Sequence, residues 1–126
     1  NKAFTAAPVC QQSTCQYVSL FNPELNNHPS VTVQNHNLFK PWTGPKPSLV
    51  IAANILNRSY FNDNELNAAI DQLIGNLAGD GYIAIIDNRE LERSSLFSVT
   101  PEKIELIKSI NGGAETQSLV LARQLK

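Results

Sequence analysis

Between residues 48 and 87 two apolar runs enclose one amphipathic run, and that arrangement leaves few folds open. The first run, Ser48-Leu-Val-Ile-Ala-Ala53, is apolar at both parities, the pattern of a strand covered on both faces as in the middle of a parallel sheet. The second, Tyr82-Ile-Ala-Ile-Ile-Asp87, has the same character. Between them, Asn62-Asp63-Asn64-Glu65 carries an N-cap residue with a glutamate three positions on, a capping box. Leu66, Ala69, Ile70, Leu73, Ile74 and Leu77 then recur at spacings of three and four and form one helical stripe. Gly79 stands where a left-handed residue would close that helix. Two strands joined by a helix of this length make a parallel crossover, with Leu66, Ile70, Leu73 and Leu77 expected to pack on the sheet.

The flanking segments extend this reading. Residues 1–15 lack any period and read as an irregular arm, ahead of an α/β domain over 16–126. Gln16–Phe21 is rich in aromatic and β-branched types and runs into Asn22-Pro23, a strand entering a turn; Val31–Asn35 reads as a second short strand. Pro41, Pro45 and Pro47 forbid a helix over 40–47, which is expected to be a surface connection. Further on, Thr100-Pro101-Glu102 places an N-cap before a proline, predicting a short helix through Ile104, Leu106 and Ile107. Asn111-Gly112-Gly113 stops it, and Gln117–Arg123 is expected to be a last strand.

Composition narrows the partners. With 126 residues, 42% of them apolar, the chain can bury a core without staples, and its net charge of −1 makes nucleic acid no natural partner. The apolar runs are far shorter than the roughly 20 residues a membrane helix needs, so no membrane span is expected. Cys10 and Cys15 are the only cysteines; with only His28 and His36 nearby they make no zinc site, and no metal is expected. Without a visible signal segment they read as free thiols of a cytoplasmic protein, the alternative being a small disulfide loop in an exported binding domain. The absence of methionine and the Asn1 start are those of a processed chain or a piece of a longer one. No glycine precedes Gly44, which excludes a glycine-rich phosphate loop from the first 43 residues.

In open α/β sheets ligands bind beyond the carboxyl ends of the strands. That rule directs attention to Asn22 and Glu24, to Asn37 and Leu38, to 54–61, and to 87–92. Most of these are neutral amides, which suit binding and positioning more than proton transfer. Arg58, Arg89, Glu90, Glu92 and Arg93 fit a solvated charged face, and Asn54 and Asn57 fit caps for loop amides.

The run Ser48–Phe61, the helix ending Leu77-Ala-Gly-Asp-Gly81 and the strand Tyr82–Asp87 resemble the fourth strand, following helix and fifth strand of class I S-adenosylmethionine-dependent methyltransferases. The likeness extends through Tyr17–Glu24 and Val31–Phe39, about residues 16–123 in all. It implies a Rossmann-like, mostly parallel sheet with flanking helices. It also implies S-adenosylmethionine as cofactor, with Asn22 and Glu24 towards the ribose, Asn37 and Leu38 towards the adenine, and Asn54 towards the methionine. Asn57, Arg58 and Phe61 would face a methyl acceptor, and no catalytic residue is assigned. The family's first strand and glycine-rich loop have no counterpart before Tyr17, and Asp80 interrupts its Gly-Gly pair. The chain is thus expected to be an incomplete or degenerate copy, binding the cofactor weakly or not at all unless another segment completes the pocket. A non-catalytic interaction or structural module is the alternative. An unpaired strand edge would further favour a homo-oligomer or a displaced N-terminal arm.

Overall fold

The computed structural model describes residues 22–123, and these divide between two units, one up to Asn37 and one from Leu38 on. The expected arm, the strand over 16–21 and both cysteines lie outside the described residues. In the first unit Pro23–Asn27 forms a 3₁₀ turn capped by Asn22, whose side chain accepts the Glu24 N–H at 3.0 Å. The strand expected at Val31–Asn35 is not there: the segment is irregular and Val31 is exposed. Its Val-Thr-Val composition suits a pleated, half-buried surface, and among the described residues it has no strand to pair with.

The second unit holds the sheet. In chain order it contains β1 (Leu49–Ala53), α1 (Asp63–Asn76), β2 (Gly81–Asn88), β3 (Glu92–Val99), β4 (Ile104–Ile110) and the short helix α2 (Gln117–Leu121). The strand, helix, strand unit forms as the sequence predicts: β1 and β2 are parallel, Leu49 beside Tyr82 and Ala53 beside Ile86. Both halves of the capping box are present, Asn62 Oδ1 accepting the Glu65 N–H at 3.0 Å and Glu65 Oε2 accepting the Asn62 N–H at 2.9 Å. Leu66, Ala69, Ile70 and Leu73 are buried, and they share a core with Leu56, Leu77, Ile83, Ile85, Phe97, Val99 and Val120. Helix α1 ends at Asn76 with Leu77 extended, so Gly79 does not supply a left-handed cap.

The proline-rich segment straps the end of α1. Trp42 donates its backbone N–H to Asn76 Oδ1 at 3.0 Å and its indole N–H to Pro45 O at 2.9 Å, while Ala78 N–H reaches Pro47 O at 2.9 Å. Gly44 is required by this loop, since a Cβ there would lie 2.8 Å from the Trp42 ring.

The Rossmann-like expectation is wrong. The four strands run β1-β2-β3-β4 and only the β1–β2 pair is parallel; β2–β3 and β3–β4 are antiparallel. The cause is the short link between Asn88 and Glu92: a connection of that length can only reverse the chain, whereas a parallel return needs a crossover of a dozen residues or more. Thr100-Pro101 is likewise a turn and not a helix start. Thr100 N–H donates to Lys103 O at 2.9 Å, Lys103 N–H returns to Thr100 Oγ1 at 3.3 Å, and the expected helix is β4. Proline's fixed φ serves the first helical position and the second position of a turn equally well. The expected last strand is α2 instead, entered after Gly112 and Gly113 at φ of 86° and 88° and closed by the Val120 N–H on Thr116 O at 3.1 Å.

Nor do helices flank both faces. Along β2 and β3 the buried positions alternate, Ile83, Ile85 and Asp87 on one strand and Ser95, Phe97 and Val99 on the other. Ser95 donates to Gln117 Oε1 at 2.7 Å and accepts the Ala114 N–H at 2.8 Å, which sets the start of α2 on the same face as α1. Asp71 and Arg123 form an ion pair that ties α1 to the residues after α2. On the opposite face Leu49, Ile51 and Tyr82 are each about half exposed, so β1 is a half-covered edge strand and not the doubly covered one its composition suggests.

Candidate functional site

Beyond the carboxyl ends of β1 and β2, three loops converge: 54–62, the β2–β3 turn, and 111–116. Each is fixed by its own backbone. Asn54 sits at φ 58°, a left-handed conformation that asparagine tolerates, and donates its N–H to Ile86 O at 2.8 Å. Its Oδ1 accepts the Asn88 N–H at 2.7 Å, so the side chain continues the ladder where β1 stops. Asn57 is buried; its Oδ1 accepts the Ser59 N–H at 3.0 Å and its carbonyl accepts the N–H groups of Tyr60 and Phe61. Phe61 meets the Phe39 ring edge-on at 5.5 Å, and Leu38 and Phe61 both pack on the core.

Charge gathers around Glu115. Arg58 gives its backbone N–H to Glu115 Oε2 at 3.0 Å and its Nη1–H to Glu115 O at 3.3 Å, and its Nε–H pairs with Asp63 at 2.8 Å. The hydrogen bond to Asp63, then the charge of Asp63, hold the Arg58 guanidinium above its ordinary value against the smaller opposing effect of desolvation, with Glu115 adding to the same direction. Arg89 donates to Ser59 Oγ at 3.1 Å and lies 3.7 Å from Glu115.

Asp87 is the centre of this arrangement. It ends the apolar run of β2, is only 5% exposed, and accepts the Glu115 N–H through Oδ2 at 2.7 Å. Its other oxygen, Oδ1, is buried with no hydrogen-bond partner. A carboxylate oxygen without a donor is costly to bury, which marks it as a point where a donor is wanted. Asp87 lines an open cleft of about 530 Å³ together with Arg89, Glu90, Leu91, Arg93 and Glu115. Arg93 stands directly across the β2–β3 ladder from Asp87. The cleft thus combines cationic groups and one leucine with a carboxylate whose unpaired oxygen lies enclosed just beneath its wall.

The residues singled out in the sequence divide. Asn54, Asn57, Arg58 and Phe61 come together at this end of the sheet, where the two amides serve their own loops through their oxygens. Leu38 belongs to the core of the same unit, and Asn22, Glu24 and Asn37 belong to the 1–37 unit. Sequence reasoning points to 87–92 without selecting Asp87, and it treats Arg89, Glu90 and Arg93 as a solvated face. It misses Glu115 altogether; the Gly112-Gly113 turn just before that residue is the available signal. Among the described residues no group of three or more His, Cys, Asp and Glu is placed to hold a metal ion, and no helix is long and apolar enough to cross a membrane. The chain matches no family model, no curated protein and no solved structure.

Proposed function

We propose that the 38–126 unit is a ligand-binding module whose site is the cleft around Asp87, and that its ligand is a small zwitterion. A cationic N–H donor would pair with the Asp87 carboxylate, whose enclosed Oδ1 is reached when the carboxylate turns towards the cleft, and an anionic group would meet Arg93. The observation that carries this reading is the buried, half-satisfied carboxylate of Asp87 in the wall of an open cleft. The cleft residues carry three acids and two arginines, a balance that favours neither a polyphosphate nor a simple cation. On the near-zero net charge no nucleic acid enters the reading, and the chain is taken as cytoplasmic.

Titration with free methionine, followed by amide NMR, tests it. Saturable shifts of the Glu115 amide, which bonds Asp87, are expected with methionine and not with acetate or methylamine, which carry one charge each. Asp87→Asn should abolish them. Silence of the Glu115 and Asn88 amides into the millimolar range would overturn the reading.

S-adenosylmethionine-dependent methyl transfer is a second reading, favoured by the parallel 48–87 unit on which the family resemblance rests. The positions assigned to that cofactor fit it poorly. Asn54, placed towards the methionine, already spends one lone pair of its oxygen on the Asn88 N–H, and Asn22, Glu24 and Asn37, placed towards the ribose and adenine, belong to the other unit. Saturable binding of micromolar S-adenosylmethionine by the chain would favour this reading; its absence at that concentration is expected.

A further inference from the structure

We infer that the uncovered face of the sheet is the interface of a symmetric dimer, in which the faces of two copies pack together with their strands antiparallel. The face is built in register. One row across it reads Leu49, Tyr82, Ser98 and Glu105; the next reads Ile51, Ala84, Leu96 and Lys108; a third reads Ala53, Ile86, Ser94 and Ile110. A bulge between Leu96 and Phe97 in the β3–β4 pairing returns Lys108 and Ile110 to this face. Leu49 is 49% exposed, Ile51 59%, Tyr82 49% and Ile110 40%, an apolar patch of the kind that marks an interaction site.

The first two rows are complementary to each other. A two-fold axis lying between them, in the plane of the interface and perpendicular to the strands, sets the first row of one copy over the second row of the other. Leu49 then meets Ile51, Tyr82 meets Ala84 (a large side chain over a small one), Ser98 meets Leu96, and Glu105 meets Lys108. By symmetry each of these contacts is made twice, as an isologous interface requires. The alternative axis, along the strands, sets charged β4 over apolar β1 and loses every one of these matches. Glu105 already pairs with Lys103 at 2.9 Å, and both side chains are exposed, so Lys108 of the second copy can join an existing pair without burying it. Two sheets facing one another at about 10 Å, aligned within about 30°, form an ordinary two-layer core. A second copy is the occupant whose charges this face itself specifies.

The test is sedimentation equilibrium of the full chain. A mass twice 13.9 kDa is expected as concentration rises. Tyr82→Lys, on a strand paired on both sides, and Ile51→Lys should each give a monomer with an unchanged circular dichroism spectrum. Lys108→Glu should weaken the dimer roughly tenfold, a loss of about 1.4 kcal/mol, and Lys108→Glu with Glu105→Lys should recover it. A chain that stays monomeric at millimolar concentration overturns the inference. So does a dimer indifferent to Tyr82→Lys, which would indicate pairing through the β1 edge, and so does a double charge swap that fails to recover what the single swap loses.

Discussion

At the residue scale, the side chains that shape the cleft are those that complete backbone hydrogen bonding where a strand ends. Asp87 is the most informative of them, because one oxygen is satisfied by the Glu115 N–H and the other is not. Removing the carboxylate leaves that N–H without its acceptor, whereas the amide keeps one. Asp87→Ala is therefore expected to lower stability by ~1–3 kcal/mol, and Asp87→Asn by clearly less. Urea unfolding of the two variants measures the difference, and equal losses would mean that the Glu115 bond contributes nothing. Asn54 makes a second case. Its φ of 58° strains a β-branched residue and not a glycine. Asn54→Val should cost ~1–3 kcal/mol more than Asn54→Gly, the usual size of such backbone strain. Both variants lose the Asn88 bond, so the comparison isolates the backbone.

At the scale of elements, the helix α1 is legible in the sequence because its signals are local and agree: a cap, a reciprocal glutamate and one apolar stripe. Asn62→Ala should cost ~1 kcal/mol, read as a lowered urea midpoint, while Asn62→Asp, which keeps an acceptor for the Glu65 N–H, should change little. Elsewhere the same residues support two local readings and a neighbouring strand chooses between them. Thr100-Pro101 suits a helix start and a turn alike; the free side of β3, which Ile104–Ile110 can pair with, decides for the turn. The run Ser118-Leu-Val-Leu-Ala122 is apolar enough for a strand, yet it lies beside α1 and Ser95, where it forms a helix. The β3 strand itself escapes a reading of the sequence because its residues do not alternate in polarity: Ser95 takes a covered position and Leu96 an uncovered one. Of the site, the loop 54–61 can be placed because β1 is identified correctly. Glu115 is harder, since the Gly112-Gly113 pair marks a turn before it but not the β3–β4 return that brings that turn to Asp87.

At the scale of the whole molecule, the second unit is a sheet with one covered face, and its stability should be distributed accordingly. Phe97 is fully buried at the centre of the core, so Phe97→Ala should cost ~3–5 kcal/mol, much of what a domain of this size has to lose. The strand order makes a sharper statement. β2 and β3 are hydrogen-bonded on both sides, whereas β1 and β4 each have one neighbour among the described residues. Amides of the two central strands can exchange with solvent only when the sheet opens as a unit, while those on the outer side of an edge strand exchange through local opening. Hydrogen exchange should therefore be slowest at Ile83, Ile85, Phe97 and Val99, and faster by orders of magnitude at those β1 and β4 amides that face away from their neighbours. Packing of two faces leaves both edges unpaired, so this ordering holds for the monomer and for the face-to-face dimer alike. Uniform protection along β1 equal to that of β2 would contradict it, because it would require a further strand hydrogen-bonded to the β1 edge.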